Sequence, residues 1–271
     1  MGDLLNFFPP KLVGVCAGFR NGELVAAVAA VTIRHDDGLV LEFPKANPFE
    51  VGQSLTVHLD DRVGSELYSV ELKVHRTSYK GTVASVVGNQ GQVRVDDYDL
   101  FYGTRVVAKG RAPDYRHPLD GRPVRLLTES PLRSMALADE SEVSNHLGVL
   151  ITRAPDRPHT TVMAFLSGVE DDIFLITDQR SFKYQLLTRD PGCAFALDHR
   201  ATFSFERRVE WNYTIYETRA HRIDRTSGLF APIQREFIQK NPWETVFFSS
   251  PYAVLIHLAP SRIIHQDILG H

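Results

Sequence analysis

Through residue 110 the apolar residues fall in short runs and alternating stretches divided by polar turns, with hardly a helical period among them. A chain patterned this way has to bury one side of many short strands, and a small antiparallel barrel is the architecture that does so. Glu23 to Ile33 is apolar and rich in Val and Ala, and Gly38 to Pro44 reads as a short strand after an Asp-Asp-Gly turn. Ser54 to Leu59 and Leu67 to His75 alternate in the strand period, and Thr82 to Val87, Gln92 to Val95 and Thr104 to Ala108 complete the set.

Between Lys109 and Ala138 the pattern breaks, with Pro113, Pro118, Gly121, Pro123 and Pro131 interrupting it. The expected organisation is a first β-barrel over residues 1–125, a connector over 126–138, and a second domain over 139–271. Asp139 to Val143 has the acidic first turn of a helix start. Leu147 to Thr152 and His159 to Leu166 read as strands around the turn Ala154 to Pro158. Further strands are expected over Cys193 to Asp198, Arg208 to Ile223, and Tyr252 to Leu258, the last ended by Pro260. Ala231 to Ile238 reads as a helix with proline in its first turn and Ile233 and Phe237 on its buried stripe, stopped by Asn241-Pro242. The fold class is therefore mainly β with a few short helices, arranged as two β-barrel domains.

Ile176 to Leu187, closed by Asp190-Pro191, carries the most chemistry. An apolar strand leads into a hydroxyl- and cation-rich turn, and the turn leads into a short helix. Unpaired N–H groups at a helix start favour an anion, Arg180 and Lys183 add charge, and Thr177 and Ser181 add hydroxyl donors. The same residues also suit a capped surface helix with solvated cations.

Composition narrows the function classes. A net charge of −3, with Glu206, Glu210, Glu217 and Asp224 set among the arginines of the most basic region, gives no footprint for nucleic acid. The longest apolar run, Leu24 to Ile33, is too short to cross a bilayer. The first residues lack the pattern of a signal peptide, and a cytoplasmic location is the default expectation. Cys16 and Cys193 lack metal spacing and read as buried thiols. No metal site is expected, because His35, His58, His75 and His117 lie scattered without ligand spacing. Asp60-Asp61 and Asp96-Asp97 read as turn residues, and no nucleophile motif appears.

The order of elements after residue 139 resembles the FMN-binding split β-barrel of the pyridoxamine-phosphate-oxidase-like superfamily. The resemblance rests on the helix start before Leu147 to Thr152, the proline turn Asp156 to His159, and Thr177, Ser181 and Lys183 followed by Asp190-Pro191. It also rests on the late Pro242-Trp243 before Val254 to Pro260. It implies an FMN phosphate site at Thr177, Ser181 and Lys183, to which Arg180 is added from charge. His159 and Thr161 stand on the strand where the oxidases place an arginine. Phe182 replaces the arginine of their S-R-K, and Thr218 replaces a glycine on the long strand.

The resemblance further implies a homodimer with flavin at its interface, for which Trp211, Tyr213 and Trp243 are candidate lining residues. The expected function is that of an FMN-dependent oxidoreductase acting on a small molecule, with no catalytic acid or base identified. The alternative is a two-barrel ligand-sensing or interaction module without flavin. Haem is a lesser alternative, because some split barrels bind it through a histidine near the C-terminus, and His257, His265 and His271 stand there. The first half weakly resembles PilZ and flagellar-brake barrels in strand order. It lacks their cyclic-dinucleotide motif, since Arg122 and Arg125 are three apart and no D/N-x-S-x-x-G follows.

Overall fold

A computed structural model describes residues 4–62, 73–116, 118–134, 138–142, 145–198 and 213–267 of the chain. The first sheet contains β1 (Lys11–Arg20), β2 (Glu23–Ile33), β3 (Leu39–Glu42), β4 (Ser54–Asp60), β5 (His75–Val87), β6 (Gln90–Tyr102) and β7 (Arg105–Arg111). Its order is β3-β2-β1-β4-β5-β6-β7, and pairing of β3 with β6 closes six strands into a barrel with β7 appended. Asn21 and Gly22 form the β1–β2 turn at φ 54° and 79°. These are residue types that tolerate the left-handed backbone a tight hairpin needs.

The long apolar run of β2 has a direct cause in the packing. Ala27, Ala29, Val31 and Ile33 point into the first barrel's core, while Leu24, Ala26 and Val28 pack against the second sheet. The neighbouring β1 divides the same way, with Leu12 and Cys16 facing inward and Val13, Val15 and Ala17 outward. Strands buried on both faces lose the polar half of the period-2 signal.

The second sheet contains β8 (Leu147–Thr152), β9 (His159–Ala164), β10 (Leu166–Ser167), β11 (Ile173–Asp178), β12 (Gly192–Asp198), β13 (Tyr213–Ile223) and β14 (Ala253–Asp267). Its order is β10-β11-β14-β13-β12-β8-β9, curled into a half-barrel. The helices are α1 (Phe182–Arg189), α2 (Phe230–Lys240) and the single turn α3 (Thr245–Phe248). On α2, Phe230, Ile233 and Phe237 are buried, as the apolar stripe requires.

Several expectations need correction. Pro260 does not end the last strand. It pairs with Thr218 beside a register shift, and Ser261 is the extra residue before Arg262 resumes pairing with Glu217. A bulge is where a strand tolerates a residue that cannot donate. The helix start at Asp139 is a 3₁₀ turn over Glu140–Glu142, where Asp139 accepts from the Ser141 amide at 2.9 Å. Asp96 and Asp97 lie inside β6, not at a turn. The expected strand Leu67 to His75 falls outside the described residues up to position 72, as does the start of the strand expected from Arg208.

The two sheets are joined by more than the shared apolar layer. Arg157 Nη1 donates to Asp96 Oδ2 at 2.8 Å and to the Gly81 carbonyl at 3.2 Å. Arg62 donates to the Leu147 carbonyl at 2.7 Å, and Thr56 Oγ1 to the Pro158 carbonyl at 2.5 Å. Segment 125–130 runs along the second sheet, with Leu127 in its core and the Ser130 amide bonded to the Arg222 carbonyl at 2.8 Å.

Candidate functional site

Strand β11 and helix α1 place the hydroxyl-rich turn. Thr177, 4% exposed, ends the buried part of β11, and its Oγ1 lies 3.1 Å from Ser181 Oγ. Ser181 caps α1 from an extended backbone (φ −68°, ψ 148°), its side chain accepting from the Tyr184 amide. These hydroxyls, with the Lys183 ammonium, line a cavity of 240 Å³. Thr161 of β9 lines it opposite, and Trp243, Glu244 and Phe247 approach from the segment after α2. Two more lining residues come from the first barrel: Arg76 on β5 and Thr104 in the β6–β7 turn.

The charges in this cavity are unevenly satisfied. Among the described residues Lys183 makes no hydrogen bond or ion pair. Burial pulls its pKa down to about 8, helped by the Arg76 charge and opposed by Glu244 and Asp178. Burial pushes the Glu244 carboxyl up to about 7, against the hydrogen bond from Trp243 and the Lys183 charge. Arg76 is held by the Gly103 carbonyl at 2.7 Å. A cavity lined by two cations, four hydroxyl residues, the Asp178 carboxylate paired with Arg180, and a Glu244 carboxyl shifted toward neutrality is suited to an anion.

Of the residues singled out in sequence, Thr161, Thr177, Ser181 and Lys183 come together at this cavity. Arg180 does not join them. Its guanidinium forks onto Asp178 at 3.0 and 2.6 Å and lies 3.9 Å from the centre of the Tyr252 ring. Hydrogen bonds from Arg180 pull the Asp178 carboxyl down to about 2. His159 stands behind Thr161, its Nε2 3.2 Å from the threonine hydroxyl and its ring edge-on to Phe182.

Of the aromatic candidates, Trp243 lines the cavity, Tyr213 is fully buried elsewhere, and Trp211 lies outside the described residues. His257 is 1% exposed, with Nε2 2.7 Å from Asp172 and Nδ1 2.9 Å from Ser130, and burial lowers its pKa. Both ring nitrogens are engaged, so His257 offers no ligand to a haem iron. His271, His117 and the side chain of His265 lie outside the described residues.

Elsewhere, Cys16 and Cys193 are both buried; burial raises the Cys16 thiol pKa strongly and pushes Cys193 up to about 12. Asp97 is paired with Lys80 at 3.2 Å and Arg111 at 2.7 Å. Among the described residues no cluster of His, Cys, Asp or Glu could hold a metal ion, and no helix is long and apolar enough to cross a membrane.

Sequence reasoning missed Arg76, Thr104 and Glu244. Arg76 sits in an ordinary alternating strand, and nothing near it in sequence marks it. Glu244 adjoins Pro242-Trp243, a pair that marks the late part of the resemblance and a candidate aromatic ring but gives no sign of a carboxyl at the site.

No protein-family model matches the chain, and no curated protein matches it. Several solved structures resemble part of it. HutZ, a heme storage protein from Vibrio cholerae, is 17% identical over 47% of this chain and 92% of its own, with a TM-score of 0.39. A heme binding protein from Mycobacterium smegmatis is 13% identical over 44% of this chain and 47% of its own, also at 0.39. A putative pyridoxamine 5'-phosphate oxidase from Listeria innocua is 20% identical over 44% of this chain and 86% of its own, at 0.32. Each is a likeness of backbone over less than half of this chain, and none carries ligand chemistry across to it.

Proposed function

We propose that the cavity holds the phosphate of FMN and that the protein is a flavoprotein oxidoreductase acting on a small molecule. One observation carries this reading: the Lys183 ammonium stands without a hydrogen-bonding partner among the described residues, in a cavity edged by the hydroxyls of Thr161, Thr177 and Ser181. That donor set fits a phosphate monoester, whose oxygens accept several short, charge-assisted hydrogen bonds.

At 240 Å³ the cavity is smaller than the ~300–1,000 Å³ of ordinary ligand pockets, so it suits the phosphate end of a nucleotide. Trp243 and Phe247 add flat apolar surface beside it. Bound there, the flavin supplies the redox chemistry, and the protein's part is binding and orientation. A homodimer belongs to the same proposal, because one cavity encloses only one end of the ligand and the ring needs a second apolar surface.

The test is an absorbance spectrum of the purified protein, taken after FMN is added and the excess removed by gel filtration. Retained bands near ~370 and ~450 nm, the flavin's own absorption, support the reading. A colourless protein contradicts it and leaves a binding module without flavin. A Soret band near ~410 nm contradicts it in favour of haem.

A further inference from the structure

We infer that the first barrel completes the phosphate site: Arg76 provides the second cation, so that a dianionic phosphate monoester is held between Lys183 of one barrel and Arg76 of the other. The inference rests on the reading of the cavity as a phosphate site and goes beyond it by giving the first barrel a part in ligand binding.

Three observations support it. Arg76 and Thr104 line the same cavity as Lys183, although they are far from it in sequence. The Gly103 carbonyl holds Arg76 Nη2 at 2.7 Å and the Phe101 ring lies 5.8 Å from its guanidinium, so the side chain is oriented before any ligand arrives. The barrels are also fixed to each other close to the cavity, because Arg62 donates to the carbonyl of Leu147, itself a lining residue.

The electrostatics point the same way. Arg76 helps depress the Lys183 pKa, as a like charge in a shared cavity must. Asp178 is taken up by Arg180, and burial shifts Glu244 toward its neutral form. Lys183 and Arg76 are thus the two cations that line the cavity, beside an Asp178 that Arg180 neutralises and a Glu244 shifted toward its neutral form. A phosphate monoester, with about −1.5 to −2 charge at neutral pH, matches two cations better than one. Arginine suits the place, since its planar fork can engage two phosphate oxygens at once.

The experiment measures FMN and riboflavin affinity, by quenching of flavin fluorescence, for the full chain and for Arg76→Met, Arg76→Lys and Lys183→Ala. Thermal melts are recorded beside each. Arg76→Met keeps the stem over Phe101; it is expected to weaken FMN about tenfold or more and to leave riboflavin unchanged. Arg76→Lys is expected to keep most of the preference for FMN. In Arg76→Met the alkaline loss of FMN binding should also move to higher pH, since Lys183 loses its cationic neighbour.

If Lys183→Ala loses FMN selectively while Arg76→Met leaves the FMN-to-riboflavin ratio unchanged, the role of Arg76 is overturned and the phosphate site stands. If Arg76→Met melts early, Arg76→Lys decides, and a lost preference for FMN in a lysine variant that melts normally overturns the charge argument. If the unaltered protein binds FMN no better than riboflavin, the phosphate reading and this inference fall together.

Discussion

Arg157 of the β8–β9 turn and Asp96 of β6 form a 2.8 Å ion pair in which the two side chains are only 7% and 10% exposed. Asp96 also accepts from Thr82 Oγ1 at 2.8 Å, and Arg157 reaches Ser54 Oγ at 3.3 Å. The pair locks the β8–β9 turn onto strands β4–β6. That junction sets where the first barrel meets the cavity.

Removing one partner of a buried pair strands the other charge. Arg157→Ala is expected to destabilise the protein by about 3–5 kcal/mol, read from the midpoint of urea unfolding. A loss below about 1 kcal/mol, the range of an exposed pair, would mean that the junction is hydrated.

The two cations of the α1 region should behave differently. Lys183→Ala is expected to lower FMN affinity about tenfold or more, through loss of a charged contact of about 1.5–3 kcal/mol. Arg180→Ala should lower it less, because that guanidinium does not line the cavity and acts there only by neutralising Asp178, a lining carboxylate. Titration of both variants with FMN separates the two, and an equal loss in each would put Arg180 back into the site.

FMN affinity should fall as pH rises from below 7 to above 8. Lys183, with its pKa pulled down to about 8 by burial and by Arg76, loses its charge across the upper part of that range. Glu244, pushed up to about 7 by burial, gains a negative charge across the lower part. Asp178 stays ionised throughout because its carboxyl is held at about 2 by Arg180. Loss of a cation and gain of an anion act in the same direction, against the bound phosphate. Glu244→Gln should accordingly raise affinity on the alkaline side. A flat profile between these values would contradict the proximity of these groups to the ligand.

Gly148 on β8 lies under the Phe195 ring, where an added Cβ would sit 2.4 Å from the ring carbon Cε1 and 3.0 Å from the Ala196 carbonyl oxygen. Gly148→Ala is expected to cost about 1–3 kcal/mol through overpacking, measured by thermal or urea melts. A neutral substitution would mean that β8 and β12 can part without penalty.

Much of the succession of strands was legible because both sheets are antiparallel and polar turns separate their strands, although β1 carries no alternation to mark it and β5 and β6 run well past the short stretches expected. Thr177, Ser181 and Lys183 were legible for a local reason, since one turn and the first residues of α1 bring them together. Arg76 and Glu244 were not, because only the docking of the barrels and the path after α2 carry them to the cavity. Asp96-Asp97 misled for a related reason. Adjacent carboxylates resemble a turn until Lys80 and Arg111 from the neighbouring strands and Arg157 from the β8–β9 turn make them tolerable inside β6. Pro260 misled because the bulge that accommodates it depends on the partner strand β13.

The most direct measurement is the ratio of FMN to riboflavin affinity in the unaltered protein, since the two ligands differ only by the phosphate. The cavity around Lys183 predicts FMN binding tighter by at least about tenfold, the size of one charge-assisted contact. Equal affinities, or no binding of either, would contradict the assignment of this cavity as a phosphate site.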